Sequence, residues 1–311
     1  MKYLVTGGAG FIGSNIVHHL VGKGHEVTVL DNFSSGRKEN LADIIGQIHL
    51  IEGDLRDVGI LKHALSGQDY CLHQAAVPSV PRSIADPWTS HDVNVNGTLR
   101  LLEAARNTDV RRIIIASSSS VYGNTPSLPK HEEMIPQPIS PYAASKLVCE
   151  HYARVWYESF GVPTICLRYF NVFGPRQDPT SQYAAVIPLF VTAMCRGDQP
   201  TIFGDGLTSR DFCYIDNVVE ANLLACAAPE EACGQAFNIA CGARTTLNEL
   251  VARINEILGT DIRPIYAPER PGDVKHSLAS IEKAQRLLGY RVGTGFTQGL
   301  KQVADWFQDR A

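Results

Sequence analysis

The sequence predicts an α/β protein: a doubly wound parallel sheet followed by a smaller, mixed α/β C-terminal domain. Short β-branched runs alternate with helix-sized stretches up to about residue 170, and a glycine-rich turn joins the first run to the first helical stretch. Beyond that point the alternation gives way to loops rich in Pro, Gly and polar residues. Runs of this kind joined by helical crossovers favour parallel strands covered on both faces.

Taken in order, Tyr3 to Thr6 reads as the first strand, and Ile16, Val17, Leu20 and Val21 then recur at helical spacing until Gly24 offers a stop. Val27 to Leu30, Ile48 to Ile51, Tyr70 to His73, Ile113 to Ala116 and Thr164 to Tyr169 read as later strands, with Gly97 to Arg106 as one of the helices between them. Residues 1–170 are therefore expected to form one domain and 171–311 mainly another, in which Thr246 to Leu258 and Ser280 to Leu288 read as helices. Phe212 to Tyr214 and Ala236 to Ile239 look like strands that return to the main sheet from within 212–240, which would make the boundary discontinuous.

A chain of 311 residues makes one large domain or two ordinary ones at roughly 150 residues each. A hydrophobic fraction of 44% and a charged fraction of 19% exclude the collagen-like, low-complexity and largely disordered classes. The net charge of -4, from 28 basic and 32 acidic residues, leaves no surplus to neutralise a phosphate backbone, so nucleic acid is not an expected partner. Aliphatic runs fall far short of the roughly 20 residues that cross a bilayer. Lys2 and Tyr3 lead into the first strand rather than into a charged-then-apolar leader, so no membrane partner is expected and the expected location is cytoplasmic. The 8 cysteines lack the spacing of a zinc site or a disulfide framework, which reads as reduced, buried or half-buried thiols and no metal.

Gly7, Gly8, Gly10 and Gly13 form GGAGFIG between the first strand and the first helix. Glycines there permit a tight turn and close approach of backbone to a pyrophosphate, while the helix N-terminus supplies free N–H groups and partial positive charge. Asp31 closes the second strand, where a carboxylate can accept both ribose hydroxyls and would repel a 2'-phosphate. This Rossmann pattern therefore predicts NAD rather than NADP, with Arg37 nearby as the one feature that tempers the preference. Asp54, at the end of the third strand, stands where it could meet the adenine.

Ser140 and Pro141 read as an N-cap followed by proline at the first helical position, so Tyr142 and Lys146 share one helix face. The fifth strand ends in Ser117, Ser118, Ser119 and Ser120, and a parallel sheet presents the carboxyl ends of its strands to the cofactor crevice. A phenol has an unperturbed pKa of about 10, and an ammonium one turn away together with a positive nicotinamide favours the phenolate. Such a tyrosine takes a hydroxyl proton while hydride leaves the same carbon for NAD, and a serine hydroxyl hydrogen-bonds the developing carbonyl oxygen.

These residues give the chain a family resemblance. It resembles the extended short-chain dehydrogenase/reductases over essentially its whole length, and among them the nucleotide-sugar 4-epimerases. Val121-Tyr122-Gly123 after the serines, Ser140-Pro141-Tyr142, Arg168-Tyr169-Phe170-Asn171 and Thr208-Ser209-Arg210-Asp211 stand in the order and spacing of that group. The family's catalytic hydroxyl, four residues before the tyrosine of VYG, maps to Ser118, so the implied catalytic set is Ser118, Tyr142 and Lys146. Related 4,6-dehydratases carry an Asp-Glu pair after that hydroxyl, and Ser119 and Ser120 replace it here.

The resemblance implies that Gly7, Gly10, Phe11, Ile12, Gly13, Asp31, Asn32, Asp54, Leu55, Tyr142, Lys146 and Tyr169 hold NAD. It implies a UDP-sugar substrate held by Asn171, Val186, Phe203, Arg210, Arg270 and Asp273, with the arginines on phosphate and Asp273 on the uridine ribose. Ser79 and Arg82 join the substrate set, because Ser79-Val80-Pro81-Arg82-Ser83 and Gln182 to Pro188 resemble the subgroup that prefers N-acetylated sugars. Ser277 stands where relatives that reject those sugars often carry a tyrosine, and so would leave room for an acetamido group. The implied reaction is inversion at C4 through a 4-keto sugar. A reductase or decarboxylase on the same scaffold and a non-catalytic NAD sensor stay open as alternatives. Gly97 to Arg106 and Tyr142 to Phe160 match helices that form a dimer contact in the family, so a homodimer is expected.

Overall fold

The apolar runs form one seven-stranded parallel sheet in the computed structural model, which describes residues 1–179, 185–269 and 275–310. In chain order the elements are β1 (Lys2–Thr6), α1 (Phe11–Gly22), β2 (Glu26–Asp31), β3 (His49–Glu52), α2 (Val58–Leu65), β4 (Tyr70–His73), α3 (Val80–Ala85), α4 (Pro87–His91), α5 (Gly97–Ala105), β5 (Arg112–Ser118), α6 (Pro141–Phe160) and β6 (Thr164–Tyr169). Then come β7 (Val172–Phe173), α7 (Val186–Cys195), β8 (Thr201–Phe203), β9 (Ser209–Arg210), β10 (Cys213–Tyr214), α8 (Ile215–Ala227), β11 (Gln235–Ile239), β12 (Thr245–Thr246), α9 (Leu247–Leu258), β13 (Ile265–Ala267), α10 (Glu282–Leu288) and α11 (Phe296–Gln308). No helix among the described residues is long and apolar enough to cross a membrane.

The strand order is β11-β6-β5-β4-β1-β2-β3. The winding reverses between β1 and β4, and a crevice opens outside the carboxyl ends of strands at such a switch point. Side chains alternate across the sheet, so one strand feeds two cores. Tyr3 and Val5 of β1 and Ile114 of β5 pack into the layer that contains residues of α1, α8 and α11, whereas Leu4, Ile113 and Ile115 pack into the layer with residues of α2 and α5.

Ala236 to Ile239 does return to the main sheet, as β11 beside β6. Phe212 to Tyr214 does not: its paired part, β10, lies parallel to β7 in a separate two-stranded sheet. The physical reason is a bend at Asn171, whose φ of 33° turns the chain away directly after β6. The Asn171 side chain then donates from Nδ2 to the Asp211 carbonyl at 3.0 Å, which holds the two short strands together.

Helix α6 starts as the sequence predicts. Ser140 Oγ accepts from the Ala143 amide at 3.1 Å, Pro141 occupies the first turn, and Gly161 closes the helix in the left-handed region. A cap of this kind contributes about 1 kcal/mol. Packing against the sheet contributes a second anchor, because Glu150 of α6 grips Arg168 of β6 through two bonds of 2.7 and 2.9 Å, with side chains only 8% and 6% exposed. Ser117 donates to the same carboxylate at 2.5 Å, and Arg168 donates to Tyr122 Oη at 2.8 Å. Tyr122 in turn donates to Asn238 of β11 at 2.7 Å.

Removing one partner of such a pair strands a buried charge. Glu150→Gln is expected to lower the urea unfolding free energy by about 3–5 kcal/mol, and adding Arg168→Met to recover part of that loss. Equal losses for the single and double variants would show that the charge of Arg168 is not what makes the substitution costly.

Candidate active site

The first cavity lies over the glycine turn at the carboxyl ends of β1, β2 and β4. Gly7, Gly10, Phe11, Ile12, Gly13, Asp31, Asn32, Asp54 and Leu55, which lie far apart in sequence, line it together. Two of its glycines are required by sterics. A Cβ on Gly13 would stand 2.1 Å from the Gly7 carbonyl oxygen, and Gly7 has a φ of +67° and would place a Cβ 2.6 Å from the backbone of Ala75. The first turn of α1 is thereby pressed onto the loop, leaving its N–H groups toward the cavity.

Asp31 ends β2 with its carboxylate buried. Oδ2 accepts from the Ala9 amide at 2.9 Å and Oδ1 from the Phe33 amide at 2.8 Å. Burial pushes the acid above the usual carboxylate range, opposed by those two donors. Each oxygen keeps lone-pair capacity for a further hydroxyl donor. Arg37 is engaged by Asp178 at 2.6 Å, so the cation that tempered the cofactor preference has an acidic partner of its own. Asp54 is held well below the usual carboxylate range by hydrogen bonds from Arg56, and it also accepts from Asn32 at 2.9 Å. Glycine clamp, free amides and ribose-facing acid all fit an adenine dinucleotide.

Lys146 meets the Tyr142 ring and the backbone of β5 near its carboxyl end, where Ser118 stands. Lys146, 6% exposed, donates from Nζ to the Ala116 carbonyl at 2.8 Å, and the same Nζ lies 5.9 Å from the centroid of the half-buried Tyr142 ring. Ser118 ends β5 and accepts from both the amide and the hydroxyl of Ser120, at 3.2 and 2.9 Å, which leaves its own proton to donate. Ser83 accepts from the Tyr142 amide at 3.0 Å and ties α3 to the start of α6.

Behind this trio runs a buried chain that the sequence reading did not anticipate. Asn94, in a π-helical turn Asp92–Asn96, donates to Ser145 at 3.0 Å and accepts from the Val77 amide at 2.7 Å. Thr98 donates to the Asn94 carbonyl at 2.6 Å, so its oxygen must accept from His73 Nε2 at 2.9 Å, and His73 Nδ1 lies 2.7 Å from Thr6 Oγ1. Proton accounting therefore places a hydrogen on Nε2, and burial keeps the ring neutral, so that Nδ1 accepts from Thr6. Burial, with the Lys146 charge adding, pushes its pKa down to about 3. The signal available in the sequence was position alone: Gln74, Ala75 and Ala76, which also line the first cavity, follow directly on a strand end.

A second cavity of about 290 Å³ brings together Asn171, Val186, Phe203 and Arg210 with Phe173, Phe190 and Phe212. Ser277 is not on its wall. Its hydroxyl accepts from Asn171 Nδ2 at 2.9 Å and from the Asp211 amide at 3.2 Å, fixing the residue that is. Tyr169 is buried behind Gln74, bonding to its Oε1 at 3.3 Å and accepting from Asn222 at 2.9 Å, so it reaches the first cavity only through Gln74. Ser79 caps α3 by accepting from the Arg82 amide at 3.2 Å, and the Arg82 side chain is exposed. Arg270 and Asp273 lie outside the described residues, as do Gln182, Tyr183 and Ala184.

Residues 3–240 match the family described as NAD dependent epimerase/dehydratase. The UDP-glucose 4-epimerase of Mycolicibacterium smegmatis is 38% identical over 317 residues, covering 100% of both chains. Among solved structures, a UDP-N-acetylglucosamine 4-epimerase from Methanobrevibacter ruminantium, in complex with UDP-N-acetylmuramic acid, superposes with a TM-score of 0.94 at 41% identity over 100% of this chain and 99% of that one. A UDP-glucose 4-epimerase from Thermotoga maritima, solved with UDP-glucose, gives a TM-score of 0.93 at 38% identity over 100% and 99%.

The neutral histidine has a signature in pH. Its ordinary value is 6.5 and its folded value about 3, so between these the unfolded chain takes up a proton that the folded one refuses. Stability is expected to fall as pH drops from 6.5 toward 3, by up to about 1.4 kcal/mol per pH unit from this group. Denaturant titrations of wild type and His73→Gln between pH 7.5 and 4.5 should show a shallower slope in the variant; parallel slopes would mean that His73 is not the proton-linked group.

Proposed function

The chain belongs to the NAD dependent epimerase/dehydratase family, and on that premise we propose that it inverts C4 of UDP-hexoses reversibly through a 4-keto sugar. The observation that supports the proposal is buried Lys146, which sits against the Tyr142 ring and donates to the Ala116 carbonyl two residues before Ser118 ends β5. NAD, when bound, would supply reversible hydride transfer at C4. Gly7, Gly10 and Gly13 with the α1 amides would hold its pyrophosphate, and Asp31 its adenosine ribose.

Tyr142 takes the proton of the 4-hydroxyl as general base and gives it back as general acid. Lys146, kept in place by the Ala116 carbonyl, sets its ammonium beside the Tyr142 ring. Ser118 donates the proton that Ser120 leaves available to the developing 4-oxygen. Inversion requires the keto sugar to turn over while the nucleotide stays bound. A site with its grip on uridine diphosphate suits that requirement: Asn171, Val186, Phe203 and Arg210 line one cavity.

We extend the proposal to both UDP-glucose and UDP-N-acetylglucosamine, since a small Ser277, its hydroxyl taken up by Asn171 and the Asp211 amide, stands where a tyrosine would exclude an acetamido group. The assembly proposed is a homodimer through α5 and α6, whose Val155 and Phe160 are exposed apolar residues.

A proton NMR time course with both sugars present and no added cofactor tests this. Galacto-configured product is expected from each, and Tyr142→Phe is expected to slow both by about 10²–10⁴-fold. Product from UDP-glucose alone would remove the N-acetylated substrate from the proposal, and no change in either sugar after NAD is supplied would end the epimerase assignment.

A further inference from the structure

The segment after β7 is tied to the first turn of the cofactor helix by two side chains that line neither the glycine-turn cavity nor the second one. Asn15, on α1 and 7% exposed, uses every polar atom of its amide. Nδ2 donates to the Phe11 carbonyl at 2.8 Å and to the Pro175 carbonyl at 3.0 Å, while Oδ1 accepts from Nη2 of Arg176 at 2.6 Å. A flipped amide would set its oxygen against two carbonyls and its NH₂ against a guanidinium, so the three partners together determine its orientation.

Arg176 holds a left-handed φ of 67°, and an arginine persists there only where its surroundings over-determine it. The carbonyl that Asn15 grips belongs to Phe11, the first residue of α1 and part of the cavity wall. Ser14 Oγ shares that carbonyl at 3.1 Å, and among the described residues it is Asn15 that joins it by side-chain hydrogen bonds to another segment, at Pro175 and Arg176.

We propose that Arg176 is a positioning residue for the cofactor: through Asn15 its guanidinium fixes the first turn of α1 against the segment after β7, and so slows the loss of NAD without touching it. This rests on the cofactor assignment and not on the epimerisation proposed above. Groups one step removed from a bound species commonly govern its retention in this way, by orienting what does touch it.

Two variants test it. Arg176→Gly removes the guanidinium and suits the left-handed backbone, and Asn15→Ala removes the relay from the other side. NAD-loaded protein is diluted into an NAD-consuming dehydrogenase as a trap, release is followed optically, and the thermal midpoint of each cofactor-free protein is recorded. Both variants are expected to release NAD at least about tenfold faster than wild type, with the cofactor-free midpoint of Arg176→Gly unchanged. Added guanidinium ion is expected to slow release from Arg176→Gly and not from Asn15→Ala. Release within about twofold of wild type in both variants overturns the proposal, as does faster release that merely tracks a lower cofactor-free midpoint. A wild type that binds no NAD overturns it together with the cofactor reading.

Discussion

Arg168 and Glu150 face each other between β6 and α6 with two hydrogen bonds and almost no access to water, and charges so placed are costly unless every partner is present. Every partner is. Ser117 supplies a third donor to the carboxylate, Tyr122 receives the guanidinium, and Asn238 receives Tyr122 while donating to the carbonyls of Lys130 and Ser280. Burial pushes the Tyr122 phenol up to about 12, so it remains a proton donor throughout the physiological range. One network therefore joins β5, α6, β6 and β11 directly behind the end of β5 where Ser118 stands. The position of Tyr142 and Lys146 on α6 is set from this side as well as by the Ser140 cap.

The opposite side of the same helix is set by uncharged groups. Thr6, His73, Thr98, Asn94 and Ser145 pass hydrogen bonds from the glycine turn to α6, and Ser145 donates to the Tyr142 carbonyl at 2.8 Å. With His73 neutral, this network sets no second charge beside Lys146. Its charge acts in a setting with little water, where Coulomb interactions are strongest. The two networks differ in kind for a physical reason: the charged one locks packing, while the neutral one lies where a second positive charge would compete with Lys146.

The cofactor cavity shows how backbone and side chains divide the work. Glycines bring the α1 turn into contact with the β1 loop, and Asp31, Asn32, Asp54 and Leu55 come to it from the ends of neighbouring strands. Its wall also includes Gln74, Ala75 and Ala76, which have no chemistry that marks them in the sequence. Tyr169 illustrates the converse. It belongs to a motif of the family the chain resembles, yet its hydroxyl is used to hold Gln74 and Asn222.

What the sequence by itself determined was everything governed by local rules. Apolar runs specified the seven strands of the main sheet, Ser140 and Pro141 the start of α6, GGAGFIG the turn, and the four-residue spacing of Tyr142 and Lys146 their shared face. What only the tertiary structure decided depends on contacts between residues distant in the chain. The bend at Asn171 takes Cys213 and Tyr214 out of the main sheet, Asp178 engages Arg37, and His73 is kept neutral by burial between Thr6 and Thr98 with the Lys146 charge adding. None of these has a periodic or motif signature, because a hydrogen bond closed across the fold leaves no trace in the spacing of the residues that make it.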